Sequence, residues 1–143
     1  MTDQLERSAG ILVYRKTESG SLYLLLQASY APYHWSPPKG HLEEKEVEIE
    51  AALRETKEES GIVLTAADVD KTFRHSMQYP VKDKEKEVTY FIAQYFGPEQ
   101  LEMSEEHTVY KWATIKEAIE LVNFEPIKTM LLAADEYIST IDK

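Results

Sequence analysis

Eight glutamates lie between Glu43 and Glu59, and they run into the stretch RETKEESG at residues 54–61. This acidic segment constrains the fold more than any other part of the chain. From about Val47 to Ser60 it has few helix breakers, and Gly61 stands at the C′ position that would close a helix. Ile49, Ala52, Leu53 and Thr56 recur at helical spacing and form one narrow apolar face. On the same helix Glu55 neighbours both Glu58 and Glu59, because residues three and four apart are adjacent. Like charges at that spacing destabilise a helix by about 0.2–0.5 kcal/mol per pair. A sequence shaped by stability alone would avoid them. The three carboxylates adjoin the apolar face, so they belong at the edge of a core with something positive in front of them.

The remaining elements follow from pattern. Residues 8–16 (SAGILVYRK) and 21–29 (SLYLLLQAS) are β-prone runs, the second apolar enough to be buried on both faces, with a turn at TESG between them. Residues 30–41 (YAPYHWSPPKGH) read as an irregular loop, because two consecutive prolines oppose regular structure. A third strand falls within 68–79, a fourth at 87–96 and a fifth at 108–113, with 81–86 as a polar, basic hairpin loop. A helix over 114–122 carries a capping box, Thr114 with Glu117, and a last helix over 125–140 has Pro126 in its first turn. No repeat or linker divides the chain, and 143 residues suit one domain, 1–143. Strands in runs with few helices indicate an α+β fold, a mixed sheet covered by helices on both faces.

Charge and cysteine content narrow the function. Sixteen basic and 26 acidic residues give a net charge of −10, which opposes long nucleic acid as a partner. With no cysteine there is no disulfide framework, no cysteine-ligated metal and no thiol nucleophile. No apolar run approaches a membrane span, so the expectation is a soluble cytoplasmic protein. A small phosphorylated ligand remains compatible if a metal bridges it to the carboxylates. Clustered carboxylates, with backbone carbonyls offered by PPKGH, suit Mg²⁺ or Mn²⁺. Lys39, His41, Lys82, Lys84 and Lys86 are then candidates for the phosphate side.

Residues 40–62, GHLEEKEVEIEAALRETKEESGI, resemble the signature of the Nudix hydrolase family at full spacing: Gly40, Glu46, Arg54, Glu55, Glu58, Glu59, Gly61 and Ile62 all match. Thr56 departs from it, since a larger aliphatic is usual there. LLLQASY, HWSPPKGH and SEEHTVYKW are further similar to the asymmetric diadenosine tetraphosphate hydrolases of animal and archaeal type, over roughly Ala9 to Leu132.

The resemblance implies an α/β/α sandwich with a mixed central sheet, and two or three divalent ions held by Glu55, Glu58, Glu59 and the carbonyl of Gly40. It implies a further carboxylate from the later loop, Glu106 or its neighbour Glu105, while His107 reads as structural. Glu55 is assigned as the general base and Arg54 as a guanidinium that forks onto a box carboxylate. Lys39, His41, Lys84 and Lys86 fall to phosphate oxygens. The ring candidates are Tyr79, Tyr90 and Phe124. Tyr90 sits in an apolar strand, whereas Tyr79 precedes Pro80 and Phe124 links two helices, good places to clamp a flat base. Trp35 and Trp112 read as structural. The expected activity is metal-dependent, asymmetric hydrolysis of dinucleoside polyphosphates by a monomer, diadenosine tetraphosphate giving ATP and AMP. The alternatives are another Nudix pyrophosphohydrolase, acting on RNA 5′ ends, nucleotide sugars or diphosphoinositol polyphosphates, or a non-catalytic nucleotide-binding module; the intact box argues against the latter.

Overall fold

Alternation along the central strands decides the architecture. In the computed structural model, which describes residues 5–103 and 109–141, the first strand β1 (Leu5–Thr17) turns Leu12 and Tyr14 to one face and Ala9, Ile11 and Val13 to the other. The next strand β2 (Gly20–Gln27) does the same with Tyr23 and Leu25 against Leu24 and Leu26. Both faces of the sheet are therefore buried, which is what the near-continuous apolar run over 21–29 called for. Two helices cover one face, α2 (Ile115–Leu121) and α3 (Glu125–Ile141), and one covers the other, α1 (Glu48–Ser60).

The sheet also contains β3 (Trp35–Ser36), β4 (Lys39–His41), β5 (His75–Val81), β6 (Lys84–Gln94) and β7 (Val109–Ala113). Its order is β3-β2-β1-β6-β5, with β4 on β1 and β7 on β2. β1 runs parallel to β6 and antiparallel to β2 and β4, so the sheet is mixed. β1 and β2 pair only from Tyr14↔Tyr23 to Thr17↔Gly20 and then part. β3 fills the resulting fork on the β2 side (Leu26↔Ser36) and β4 fills it on the β1 side (Ala9↔Gly40).

The loop expected over 30–41 is thus corrected. The prolines do not abolish pairing; they separate two short paired pieces. Pro38 lacks a donor, yet its carbonyl accepts from Ile11 N–H at 3.2 Å and leads the chain into β4. The hairpin expected over 81–86 is likewise tighter, a turn at Lys82–Asp83 with Lys82 in the left-handed region (φ 57°). The described residues also include a single 3-10 turn, Ala66–Asp68, that sequence pattern did not indicate.

The helices keep their expected ends. Gly61 adopts φ 79° and its N–H donates to Lys57 O at 2.9 Å, closing α1. Thr114 Oγ1 accepts from Glu117 N–H at 3.1 Å while Glu117 accepts from Thr114 N–H at 3.0 Å, the reciprocal box that starts α2. α1 buries Ala51, Ala52, Thr56 and Ser60, while Ile49 and Leu53 are only partly covered. The buried face is therefore shifted toward small residues, which let the helix lie close on the sheet. No helix among the described residues is long and apolar enough to cross a membrane.

Candidate active site

The carboxylates of α1 are organised by one guanidinium. Arg54 Nε donates to Glu46 Oε2 at 2.7 Å and Nη2 to Glu46 Oε1 at 2.9 Å, a bidentate fork. Nη2 also donates to His41 O at 2.9 Å, which ties the helix to β4. Nη1 then reaches Glu55 Oε2 at 3.0 Å and Glu58 Oε1 at 3.2 Å. The positive group that the acidic row demanded is thus partly Arg54 itself. Its hydrogen bonds hold the Glu46 carboxyl below the usual carboxylate range. Sequence pattern alone missed Glu46, because eight residues of separation across a helix start is not a contact spacing; the Nudix box is the signal that contains it.

Glu55 and Glu59 point into the protein, and Glu58 out. The Glu58 side chain is 56% exposed and that of Glu55 16%. Burial first of all raises the Glu55 carboxyl above its ordinary range, against the opposing pull of Arg54. A Cβ added at Gly40 would overlap the Glu55 carboxylate, so this glycine on β4 is the space in which the carboxylate lies. Glu59 Oε1 accepts from the backbone N–H of Lys39 at 3.1 Å. Burial pushes the Glu59 carboxyl up to about 7, with the Lys39 N–H lowering it and Glu55 raising it further.

Beside this row lies a cleft of about 520 Å³ on the α2/α3 side of the fork. Glu59 and Lys39 form one wall, with Trp35, Tyr79, Phe124 and Ile127 as its apolar part. Lys39 is held down from its ordinary value by burial and then by Lys86, which sits opposite Tyr79 in the β5–β6 pair. Tyr79 and Phe124 share the cleft, but their rings touch edge to face, 4.7 Å between centroids at 70°. A flat base would have to part them. Trp35, read from sequence as structural, lines the cleft, and so do Tyr30, His34 and Asn123; no spacing rule in the sequence marked these rim residues.

One substrate assignment, the Tyr90 ring, is contradicted, and two others, Lys84 and His41, have an acidic neighbour outside the cleft. Tyr90 is fully enclosed in the core and offers no ring face to a base, because the alternation of β6 turns it to the sheet face that α2 and α3 cover. Lys84 Nζ is engaged by Glu6 at 2.9 Å, and His41 Nε2 lies 3.8 Å from the other oxygen of Glu6. Both side chains stand on the exposed surface by the start of β1 and not among the cleft residues. Trp112 stacks on Tyr95 (5.7 Å, 9°) beneath Arg15 and donates to Glu99 O, a structural role as expected. Glu105, Glu106 and His107 lie outside the described residues.

Among the described residues no three carboxylate or imidazole groups already converge as a metal shell. The donors nevertheless fit a hard divalent cation: Glu55 and Glu59 offer partly buried carboxylate oxygens raised in pKa first by burial, a cost that a bound cation would offset, and the Gly40 cradle leaves room for the Glu55 carboxylate.

Removing one ring tests the cleft. Stacking on an aromatic is worth about 1–3 kcal/mol per base. Tyr79→Ala is therefore expected to raise KM for a nucleotide substrate about tenfold or more, with a smaller loss in kcat. A fall in Tm with KM unchanged would make Tyr79 a core residue only.

Comparison with known proteins shows the family and the fold. The NUDIX domain family model matches residues 4–133. The bis(5′-nucleosyl)-tetraphosphatase [asymmetrical] of Caenorhabditis elegans is 38% identical over 125 residues, 87% of this chain and 91% of that protein. The mouse protein of the same name is 34% identical over 139 residues, 92% of this chain and 95% of its own length. A crystal structure of a C. elegans Ap4A hydrolase binary complex superposes with a TM-score of 0.86 at 34% identity, covering 94% of this chain and 98% of that one.

Proposed function

The chain belongs to the NUDIX family, and on that premise we propose that it hydrolyses dinucleoside tetraphosphates asymmetrically, releasing ATP and AMP from the diadenosine compound. Relatives at 33–38% identity that bear the asymmetrical tetraphosphatase name support the reaction. The observation that carries it is that Glu59 belongs at once to the carboxylate row of α1 and to the wall of the aromatic cleft. A polyphosphate held at that row would have its nucleoside end in the cleft.

Hydrolases of this family depend on a divalent metal, here Mg²⁺ or Mn²⁺, and Glu55, Glu58, Glu59 and the Gly40 carbonyl are the residues that would hold it, with Glu106 as a further candidate. When bound, such an ion neutralises phosphate charge and acidifies water. Glu55 is the base that takes the proton from the attacking water. Arg54 keeps Glu55 and Glu58 aimed, since Glu46 and the His41 carbonyl fix its own plane. Lys39 and Lys86 place positive charge beside the cleft, where the chain of phosphates would run. The internal anhydride bonds are chemically alike, so position selects the bond that breaks. The nucleoside clamped by Tyr79 and Phe124 sets that position. Water adds to the fourth phosphorus from the clamped base, and ATP leaves.

In ¹⁸O-enriched water the label should appear in AMP and not in ATP. Two equivalents of ADP would refute the assignment, and activity confined to triphosphorylated RNA or diphosphoinositol substrates would move the same site to another reaction. The same reading takes the enzyme to be a cytoplasmic monomer, in keeping with its acidic, cysteine-free composition; sedimentation and cell fractionation test both points.

A further inference from the structure

Among the described residues only two buried side-chain polar atoms have no hydrogen-bond partner, Thr56 Oγ1 and the hydroxyl of Tyr90. An unpartnered donor in a packed core is costly and calls for an account. That of Thr56 sits on the core face of α1. Tyr90 is placed differently. It faces Gly10 across the parallel β1–β6 pair, and a Cβ at Gly10 would overlap Tyr90 Cε1, Lys39 Cβ and the Pro38 carbonyl. The missing side chain at Gly10 thus lets the Tyr90 ring lie against the start of β4, at the residue whose N–H binds Glu59. Trp35 and Tyr79, two cleft residues, pack on the same core cluster as Tyr90. Burial first, then the fields of Tyr79 and Glu59, push the phenol far above its ordinary value, so the hydroxyl stays protonated and is a donor.

We propose that the Tyr90 hydroxyl is a positioning group for Glu59, donating the hydrogen bond that fixes the carboxylate once the site is loaded. Glu59 has one oxygen on the Lys39 N–H, and its second oxygen is the acceptor that a buried neighbouring phenol can serve. The ring assigned from sequence to base stacking then acts through its oxygen, from the core cluster on which Trp35 and Tyr79 pack. The inference rests on the reading of Glu59 as a metal ligand.

Tyr90→Phe tests it with almost no change of shape. Groups that orient a metal ligand are typically worth about 10–100-fold in affinity or activity. Titration of the substrate-free protein with Mn²⁺ should show binding weakened about tenfold, with kcat reduced in parallel and KM within about twofold. Tm in metal-free buffer should be unchanged or higher, because an unpartnered hydroxyl has been removed; a merely structural tyrosine would lower Tm and leave Mn²⁺ affinity alone. Mn²⁺ affinity equal to wild type in Tyr90→Phe would overturn the inference. Glu59→Gln measured alongside separates the two claims: if it too keeps full Mn²⁺ affinity, the ligand reading has failed first.

Discussion

Glu59→Gln is expected to lower kcat about a thousandfold or more while the protein stays folded, on the scale of losing one preorganised electrostatic contact. The amide keeps the shape of the carboxylate and can still accept from the Lys39 N–H. What it loses is the charge, and charge is what a divalent cation and its phosphate require. Turnover near wild type at saturating Mg²⁺ would remove Glu59 from the site. Stability gives an independent reading. In metal-free buffer burial holds the folded-state carboxyl at about 7, against an ordinary 4.5. Between those values the folded chain keeps a proton that the unfolded chain has released, so the stability associated with Glu59 falls as pH rises through that window. Glu55, also raised, acts in the same sense. Glu46, held low by Arg54, acts oppositely, and its contribution is lost only as pH falls below the ordinary value. Metal-free wild type should therefore lose Tm from about pH 5 to 7, and Glu59→Gln should flatten that slope. Mg²⁺ should flatten it too, by favouring the charged carboxylate. A wild-type Tm that is level across the window would contradict the assignment of the burial cost to Glu59.

How far the sequence could carry this depended on whether a feature was local. The acidic helix, its glycine stop and the capping box of α2 are set by neighbours within four residues, and each stands where pattern put it. The fork between β1 and β2 is not local. Pro37 and Pro38 suggested an irregular loop, whereas the pairing partners lie on β1 and β2, outside that stretch. The same limit misplaced Tyr90: a β-strand shows which residues alternate, but not which face a cleft will open on. His41 was a candidate because it adjoins the box and Lys84 because it stands in the basic hairpin loop, and only the fold shows Glu6 beside both. Glu48 is the converse case. Nothing in its spacing marks it, yet at the first turn of α1 it accepts from Arg7, Arg74 and Thr89 and so ties the helix to the sheet.

Gly40→Ala is expected to be nearly as damaging as losing a ligand, for a steric reason alone. Gly40 is not among the positive-φ glycines, which are Gly20 and Gly61, so alanine meets no backbone penalty there. Its Cβ would meet the Glu55 carboxylate. A carboxylate at the end of a free side chain could swing aside cheaply. This one is held by Arg54 at 3.0 Å, and Arg54 is clamped by both oxygens of Glu46 and by the His41 carbonyl. Moving it means either breaking that network or shifting β4 against α1. Overpacking of this kind costs typically about 1–3 kcal/mol of stability. Displacement of a reacting group by about 1 Å can cost about a hundredfold in rate. The expected result is a kcat lower by about two orders of magnitude with KM little changed. A double-mutant cycle with Glu55→Gln locates the effect. If Gly40 acts by making room for Glu55, the second substitution adds little to the first, and the losses in kcat are far from additive. Additive losses would mean that the two residues act separately, leaving the Gly40 carbonyl as the atom that matters.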